Sequence, residues 1–497
     1  MNKQHNRFEK RKNHKQRPAS KRPAFAPRDS NSQVSQSKLS SPRIAEQLQT
    51  GDRITVEVKK IGINGEGVGY YERKAVFIPG ALPGELVQAQ VEKALPNYIQ
   101  AKLLSHKRTS AERVTPPCPV YEACGGCSMQ HTRYEEQLRA KENVVRDAFS
   151  RYTKLTDLPL RPIIGMNDPW AYRNKAQMQV GFHQGAVQTG LYAPGSHQLV
   201  DLSGCPVQHP DINALIQRVK EWLKAYQVSI YQERKRKGLL RNLVVRIAYT
   251  TGEMQLTFVT SEAHFPQAKS LVAAIRREFP KVVGIAQNIN PKKTSIIFGD
   301  QTTLLWGKET LQEKLGDLKY ELSPRAFFQL NPAQTLHLYR AAEEAAQLTG
   351  TEEVLDLYCG TGTISLWLAR SAKKVTGIEL VKEAIEDAKA NARLNHIDNA
   401  VFITGKAEEW LPSQVAKGYK PDVIVVDPPR TGCDDALLKA IIQAKPKRMV
   451  YVSCNPSTLA KDCAVLLKNG FQLEWLQPVD MFPQTAHVEC LILMVRK

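Results

Sequence analysis

The sequence predicts a multidomain protein whose C-terminal part is a doubly wound α/β domain, with a small β-barrel and a mixed α+β region ahead of it. Three observations predict this. From about residue 321, apolar strand-like runs alternate with helical stretches, the pattern of a mostly parallel sheet. Residues 51–106 instead carry short strands with glycine corners and no long helical pattern. Finally, 497 residues are enough for about three domains.

The elements follow in chain order. Residues 1–50 are rich in Lys, Arg, Asn, Gln, Ser and Pro and read as a disordered basic tail, either an electrostatic RNA-capturing arm or a solvated segment. In 51–106, Ile54-Thr55-Val56-Glu57-Val58 alternates as a strand does. Gly62, Gly65, Gly67 and Gly69 follow, then Ala75 to Gly80 and Gly84 to Val87. About five such strands make a small OB-like barrel. Residues 107–320 form a central domain, with a cysteine-rich loop, a helix from about Tyr134 to Phe149, strands at Leu243–Ala248 and Met254–Val259, and a helix near Ala268–Phe279. In 321–497 strands are expected at Glu353–Leu357, Val375–Ile378, Ala400–Ile403, Val423–Val426, Met449–Val452, Leu473–Gln477 and His487–Val495. Helices are expected at Lys382–Leu394 and Ala436–Ala444.

Charge narrows the partners. The formal net charge of +20 favours a polyanion, most simply nucleic acid, while 42% hydrophobic residues suffice for packed cores. No apolar run is long enough to span a membrane and the N-terminus lacks a signal-peptide core, so a cytoplasmic protein with reduced thiols is expected. The nine cysteines then point to metal binding or catalysis rather than disulfides.

Three strand ends carry chemistry. Asp356-x-x-x-Gly360-x-Gly362 follows an apolar strand and opens a helix, so backbone can approach a ligand closely. Glu379 ends the next strand, where an acid meets ribose hydroxyls. The position three after Gly362 is Ser365, which departs from the dinucleotide-binding glycine pattern. Asp356 could equally be a structural strand-end acid. Val423 to Val426 runs into Asp427-Pro428-Pro429-Arg430, where two prolines stiffen the exit and hold Asp427 at the ligand edge of the sheet. Met449 to Val452 runs into Ser453-Cys454-Asn455-Pro456, and Pro456 keeps Asn455 out of the helical region, leaving the thiol at the strand end. Cys118, Cys124 and Cys127, with the distant Cys205, form a four-thiol set compatible with an iron–sulfur cluster or structural zinc. Cys359, Cys433, Cys463 and Cys490 read as packing residues.

Gly65-x-Gly67-x-Gly69, Phe77-Ile78-Pro79-Gly80 and Leu82-Pro83-Gly84-Glu85 resemble a TRAM domain, an OB-like RNA-binding module. Ser323-Pro324-x-x-Phe327-Phe328-Gln329-x-Asn331-Pro332, the Asp356–Gly362 turn, Asp427–Arg430, Ser453–Pro456 and His487-Val488-Glu489 occur in the order of the RNA uracil-C5 methyltransferase family. The likeness covers nearly everything after residue 50 and is greatest to bacterial large-subunit ribosomal RNA (uracil-5-)-methyltransferases with a class I fold.

The resemblance implies methylation of C5 of uridine in 23S ribosomal RNA, with S-adenosylmethionine as donor. It implies Cys454 as nucleophile and Glu489 as base, cofactor contacts from Gln329, Tyr358, Glu379 and Asp427, and a [4Fe-4S] cluster on Cys118, Cys124, Cys127 and Cys205. Uracil C5 is too weakly nucleophilic to take a methyl group unaided, which is why a thiol that adds at C6 is needed. A carboxylate in the apolar Val488–Met494 strand needs a reason to be there, and burial suits it to accept a proton. His487 is a rival base by strand parity. The target base must be flipped or already unpaired to reach the thiol. Relatives acting on transfer RNA typically lack both the cluster and the TRAM domain, so ribosomal RNA is expected ahead of transfer RNA. The alternative of another class is a non-catalytic RNA-binding or ribosome-assembly protein. A monomer is the default.

Overall fold

The computed structural model describes residues 48–497, so the expected basic tail lies almost wholly outside the described residues. The first five strands are β1 (Arg53–Ile61), β2 (Gly67–Tyr71), β3 (Lys74–Ile78), β4 (Leu86–Ala94) and β5 (Tyr98–Arg108). They close into a barrel in the order β1-β2-β3-β5-β4, which leaves no open edge. Every second residue of β1 points inward, so Ile54, Val56 and Val58 join Val76, Ile78, Val87 and Ile99 in its core. Buried Glu85 takes a two-pronged bond from Arg113, Nε to Oε1 at 2.7 Å and Nη2 to Oε2 at 2.8 Å, fastening the barrel to the loop that leaves it.

Next comes α1 (Tyr134–Tyr152), then β6 (Lys175–His183), β7 (Ala186–Tyr192), β8 (Leu199–Asp201), α2 (Pro210–Ala225), β9 (Leu240–Ile247), β10 (Met254–Thr260), α3 (Ala268–Glu278), β11 (Val282–Ile289) and β12 (Gln301–Gly307). The strands form a seven-stranded sheet, β12-β11-β10-β9-β6-β7-β8, in which only β10 and β11 run parallel. Leu215, Val219 and Trp222 of α2 and Leu271 and Ile275 of α3 pack against Leu243, Val245 and Phe258. A short hairpin, β13 (Leu311–Leu315) and β14 (Leu318–Leu322), leads out of this region.

The remaining chain alternates: α4 (Pro332–Ala346), β15 (Glu353–Leu357), α5 (Thr363–Ala369), β16 (Lys374–Glu379), α6 (Lys382–Leu394), β17 (Ala400–Thr404), α7 (Ala407–Val415), β18 (Val423–Val426), α8 (Asp435–Ala444), β19 (Arg448–Ser453), α9 (Pro456–Lys468), β20 (Phe471–Val479) and β21 (Glu489–Arg496). The sheet order is β17-β16-β15-β18-β19-β21-β20, with β21 the reversed strand between β19 and β20. Strand order changes direction between β15 and β18, which makes their C-terminal ends the ligand crevice.

Both sheet faces are covered, as continuous apolar strands require. Val354, Val423 and Val425 face α4, α5 and α6, and Leu355, Ile424 and Val426 face α7, α8 and α9. Val145, Ala148 and Phe149 of α1 join the second face, so a helix that the sequence groups with the central domain packs on the catalytic sheet. No helix among the described residues is long and apolar enough to cross a membrane.

Candidate active site

The cofactor side is built from consecutive backbone. After β15, Tyr358 (φ 65°), Gly360 (φ 54°) and Gly362 (φ 76°) all take left-handed conformations. At Gly362 only glycine fits, because a Cβ would lie 2.9 Å from the Phe402 ring. Glu379, at the end of β16, receives the Gly360 N–H at 3.2 Å on one carboxylate oxygen and the Val381 N–H at 2.9 Å on the other. Thr361 Oγ1 donates to the Phe327 carbonyl at 3.2 Å, which draws the segment bearing half-buried Gln329 against the turn. The Tyr358 hydroxyl donates to Glu408 on α7 at 2.6 Å. Buried Asp356 accepts from the Ser365 hydroxyl with one oxygen and leaves the other unpartnered. Burial raises this carboxyl to about 7, with Asp427 and Glu379 adding to the rise. An orphaned buried acceptor, a strand-end acid and a glycine-lined backbone turn fit an adenosyl cofactor.

The reactive side is assembled from distant parts. Asn455 is extended (φ −138°) and caps α9 by accepting from the Ser457 N–H, with Pro456 as first helical residue, so Cys454 stands at the strand end as the sequence predicts. Ser453 pairs with Cys490 across β19 and β21, and one step further the antiparallel register sets Cys454 opposite Glu489. Glu489 is buried; its carboxyl is pushed far above the usual range by burial and then by the charge of Asp427. Half-buried Cys454 is raised by burial and by Glu489, and lowered by the guanidinium of Arg430. A cavity of about 100 Å³ opens over the thiol, lined by Arg430, His487, Ile63 and Asn64 among others. Half-buried Asp427, raised to about 7 by burial, joins the two sides, since its charge is felt by Asp356 and also by Cys454 and Glu489.

The strand carrying the base begins later than expected. β21 starts at Glu489, so His487 lies in the preceding loop and the parity linking it to Glu489 does not hold. His487 contacts Arg430 Nη2 at 3.2 Å, and enclosure of its ring, with that guanidinium beside it, lowers its pKa to about 4. It is therefore a neutral group at the pocket mouth, while Glu489 is buried at the start of β21, across from Cys454.

The loop before β21 is pinned from far away. Asp480 receives Lys141 Nζ at 2.5 Å and the Tyr134 hydroxyl at 2.8 Å, both from α1. Gln484 exchanges side-chain and backbone bonds with Gln137, and its carbonyl accepts from the N–H groups of Ser128 and Met129 at 3.0 Å. Ser128 Oγ then accepts from the Ala486 N–H. The barrel closes this junction. At Gly65 (φ 91°) a Cβ would meet Ser128 Oγ at 2.8 Å, and Ile61, Leu82, Met129, Ala140 and Ala486 share one apolar cluster. Sequence reasoning missed Arg430, whose only signal is its place in Asp427–Arg430, and the Lys141–Asp480 pair, which has no local signal.

Cys118, Cys124, Cys127 and Cys205 are all unbridged, and Cys124, Cys127 and Cys205 each feel the charge of another member of the four. Among the described residues no three His, Cys, Asp or Glu side chains are placed to hold one metal ion. The other four, Cys359, Cys433, Cys463 and Cys490, are buried as packing residues.

The sequence profile of the tRNA (Uracil-5-)-methyltransferase family matches residues 133–497, and that of the TRAM domain matches 47–104. An uncharacterized RNA methyltransferase of Halalkalibacterium halodurans is 52% identical over 450 residues, 90% of this chain and 97% of its own length. A Listeria innocua protein of the same description is 47% identical, covering 90% of this chain and 99% of its own. The crystal structure of Pyrococcus abyssi tRNA (uracil-54, C5)-methyltransferase in complex with S-adenosyl-L-homocysteine superposes with a TM-score of 0.72 at 27% identity, covering 89% of this chain and 100% of that one. Fold and site together define a class I methyltransferase with an RNA-binding barrel. The chain belongs to the tRNA (uracil-5-)-methyltransferase family and is an S-adenosylmethionine-dependent RNA uracil-5-methyltransferase.

Proposed function

We propose that this enzyme forms 5-methyluridine in 23S ribosomal RNA through a covalent adduct between Cys454 and uracil C6. The observation that carries the covalent step is the β19–β21 register, which sets the Glu489 carboxyl opposite the thiol that lines the cavity. The Cys454 thiolate, favoured by Arg430, adds to C6 and makes C5 enolate-like and nucleophilic. Gln329, Tyr358, Glu379 and Asp427 would hold S-adenosylmethionine, whose S–CH3 bond would break as C5 takes the methyl group, leaving S-adenosylhomocysteine. Ionised Glu489 then takes the C5 proton, the electron pair reforms the C5–C6 double bond, the C6–S bond breaks, and the thiolate is regenerated. Burial makes Glu489 a stronger proton acceptor than an ordinary glutamate.

Ribosomal RNA is favoured by the conjunction of TRAM barrel and four-cysteine loop. A specific observation favours the rival, transfer RNA. The P. abyssi enzyme covers 89% of this chain, a span that takes in the barrel, so a barrel alone does not separate the two substrates. Mapping 5-methyluridine in ribosomal and transfer RNA from cells with and without the protein decides between them. Loss confined to one ribosomal uridine or a few is expected; loss only in transfer RNA overturns the ribosomal reading.

The four cysteines fit a [4Fe-4S] cluster in donor chemistry, being four unbridged thiols in mutual electrostatic reach. Held there, the cluster would brace the loop whose Ser128 and Met129 bond to Gln484 and Ala486. Iron and sulfide content with visible absorption of anaerobically purified protein tests this, and zinc with no iron would overturn it. The protein is taken to act in the cytoplasm as a monomer, which sedimentation of the purified chain would check.

A further inference from the structure

The central sheet has two ends, and both have ties to the Ser323–Asn331 segment that opens the catalytic domain, the second through Arg325 Nη1 to the Asp300 carbonyl at 3.3 Å. Arg246 and Ile247, at the end of β9, bond to the Ala326 and Asn174 carbonyls, and the Asn174 N–H bonds to Leu330. At the opposite end, Leu240 pairs with Thr260 and Thr260 with Ile289, so the start of β9 and the ends of β10 and β11 share one edge. β9 has eight residues, and at about 3.3 Å per residue the two edges stand about 23 Å apart.

A cavity of about 490 Å³ opens at that far edge, lined by Tyr231, Arg236, Lys237, Ser261, Glu262 and Lys293 among others. Two loops build it. One is a tight turn closed by Gln232 N–H to the Lys237 carbonyl at 2.8 Å, which displays Arg234, Lys235, Arg236 and Lys237. The other holds Lys292 and Lys293. Arg241 clips them together: its Nη1 donates to the Asn290 and Lys292 carbonyls at 2.6 and 2.8 Å, and its guanidinium lies 4.7 Å from the Tyr231 ring centroid. Arg234, Lys235, Arg236, Lys237 and Lys293 are exposed, and among the described residues none of the five enters an ion pair, whereas Lys292 pairs with Asp300. A solvated charge run would need neither the cavity nor the clip.

We propose that this cavity is a second RNA-holding site, in which Arg236, Lys237 and Lys293 grip phosphodiesters of the substrate at the edge of the central sheet one strand length from the Arg246–Ala326 contact. The proposal rests on the chain acting on RNA. Three unpaired cations that line one opening, with two more on the same turn, complement a polyanionic backbone, and none of them lines the cavity over Cys454, which assigns them to flanking RNA rather than to the reacting uridine.

The test uses the full chain and its Arg236→Gln/Lys237→Gln/Lys293→Gln variant, with fluorescence anisotropy against salt on a long substrate fragment and on a hairpin just large enough to fill the catalytic cleft. Three lost phosphate contacts should lower the salt slope for the long RNA by about 2 to 3 and raise its KM roughly tenfold or more. kcat at saturating RNA, cofactor affinity and hairpin binding should stay unchanged. Equal slopes for wild type and variant on the long RNA overturn the proposal. So does equal weakening on both RNAs, or the same loss from neutralising Lys417, Lys420 and Lys445 instead. RNA binding unchanged with altered sedimentation would assign the surface to a protein partner and also overturn it. Failure of the wild type to methylate any RNA would count against the functional reading, while the binding slopes still decide the site.

Discussion

The two sides of the active site are made in opposite ways. The cofactor side centres on one short run of left-handed backbone, Tyr358 to Gly362, tied to Glu379 by the Gly360 N–H across 19 residues. The thiol side brings together the ends of β18 and β19, the loop before β21, helix α1 and a turn of the barrel. Local conformation therefore sets where the cofactor lies, whereas long-range bonds set where Glu489 meets Cys454. Substitutions should divide accordingly: those on the cofactor side should change cofactor affinity, and those far along the chain on the thiol side should change turnover.

The largest effect belongs to Cys454→Ala. Methyl transfer should fall by on the order of 10⁴-fold or more, with cofactor affinity by calorimetry unchanged, since the alanine touches only one side. Measurable turnover at a tenth of wild type would remove the thiol from the chemistry.

Glu489→Gln comes next, slowing turnover by about 10²–10⁴-fold. A protein–RNA adduct should accumulate on denaturing gels, because release needs the C5 proton removed. No adduct would pass the base role to water. The same variant carries a pH signature. Folded Glu489 has a raised pKa, so its contribution to stability is present below the pKa of an unfolded glutamate and is lost as pH rises toward the folded value. The glutamine variant should thus melt higher than wild type at pH 8, with the gap closing toward pH 4.

Lys141→Met tests the long-range half. It strands the buried Asp480 carboxylate, and loss of one partner of a buried pair costs about 3–5 kcal/mol. The thermal midpoint should drop, and kcat should fall more than cofactor affinity, because the loop freed leads to Glu489. Adding Asp480→Asn should recover most of the stability. Equal losses in kcat and cofactor affinity would break the division between the two sides.

Arg430→Gln has a smaller effect. Its guanidinium favours the Cys454 thiolate, so its loss should move the alkaline-rising limb of the pH–rate profile up by on the order of one unit. An unmoved profile would leave Arg430 as a support for His487 alone.

Legibility in the sequence follows the same division. Glu353–Leu357 and Val423–Val426 are strands with the limits expected, because short, mostly apolar runs between turn residues specify buried parallel strands. The glycine turn and the Asn455-Pro456 stop were equally readable, each being a backbone restriction written in adjacent residues. β21 was read as starting two residues early because Val488 is apolar and buried, yet Thr485 Oγ1 accepts the His487 N–H in a turn that delays the strand. Lys141 and Asp480 lie 339 residues apart, and no local pattern marks a lysine that will be buried. The placement of α1 on the catalytic sheet was hidden likewise, since an amphipathic helix records that it has an apolar face and not what covers it.

The smallest predicted effect isolates the cofactor side. Tyr358 sits at φ 65°, a strained position for a large side chain, and phenylalanine keeps both ring and backbone there. What Tyr358→Phe removes is the 2.6 Å hydroxyl bond to Glu408, which ties the turn to α7. Burial, reinforced by that bond, raises the phenol's pKa, so it remains a donor at any working pH. One such bond is worth about 1 kcal/mol net, or roughly fivefold in cofactor Kd. kcat at saturating cofactor should not change, because none of the contacts holding the loop before Glu489 passes through α7. A fivefold weaker Kd with unchanged kcat would show the two sides to be separable. A fall in kcat at saturating cofactor would mean the turn also sets how the methyl group meets C5, and the division between local and long-range construction would then not extend to function.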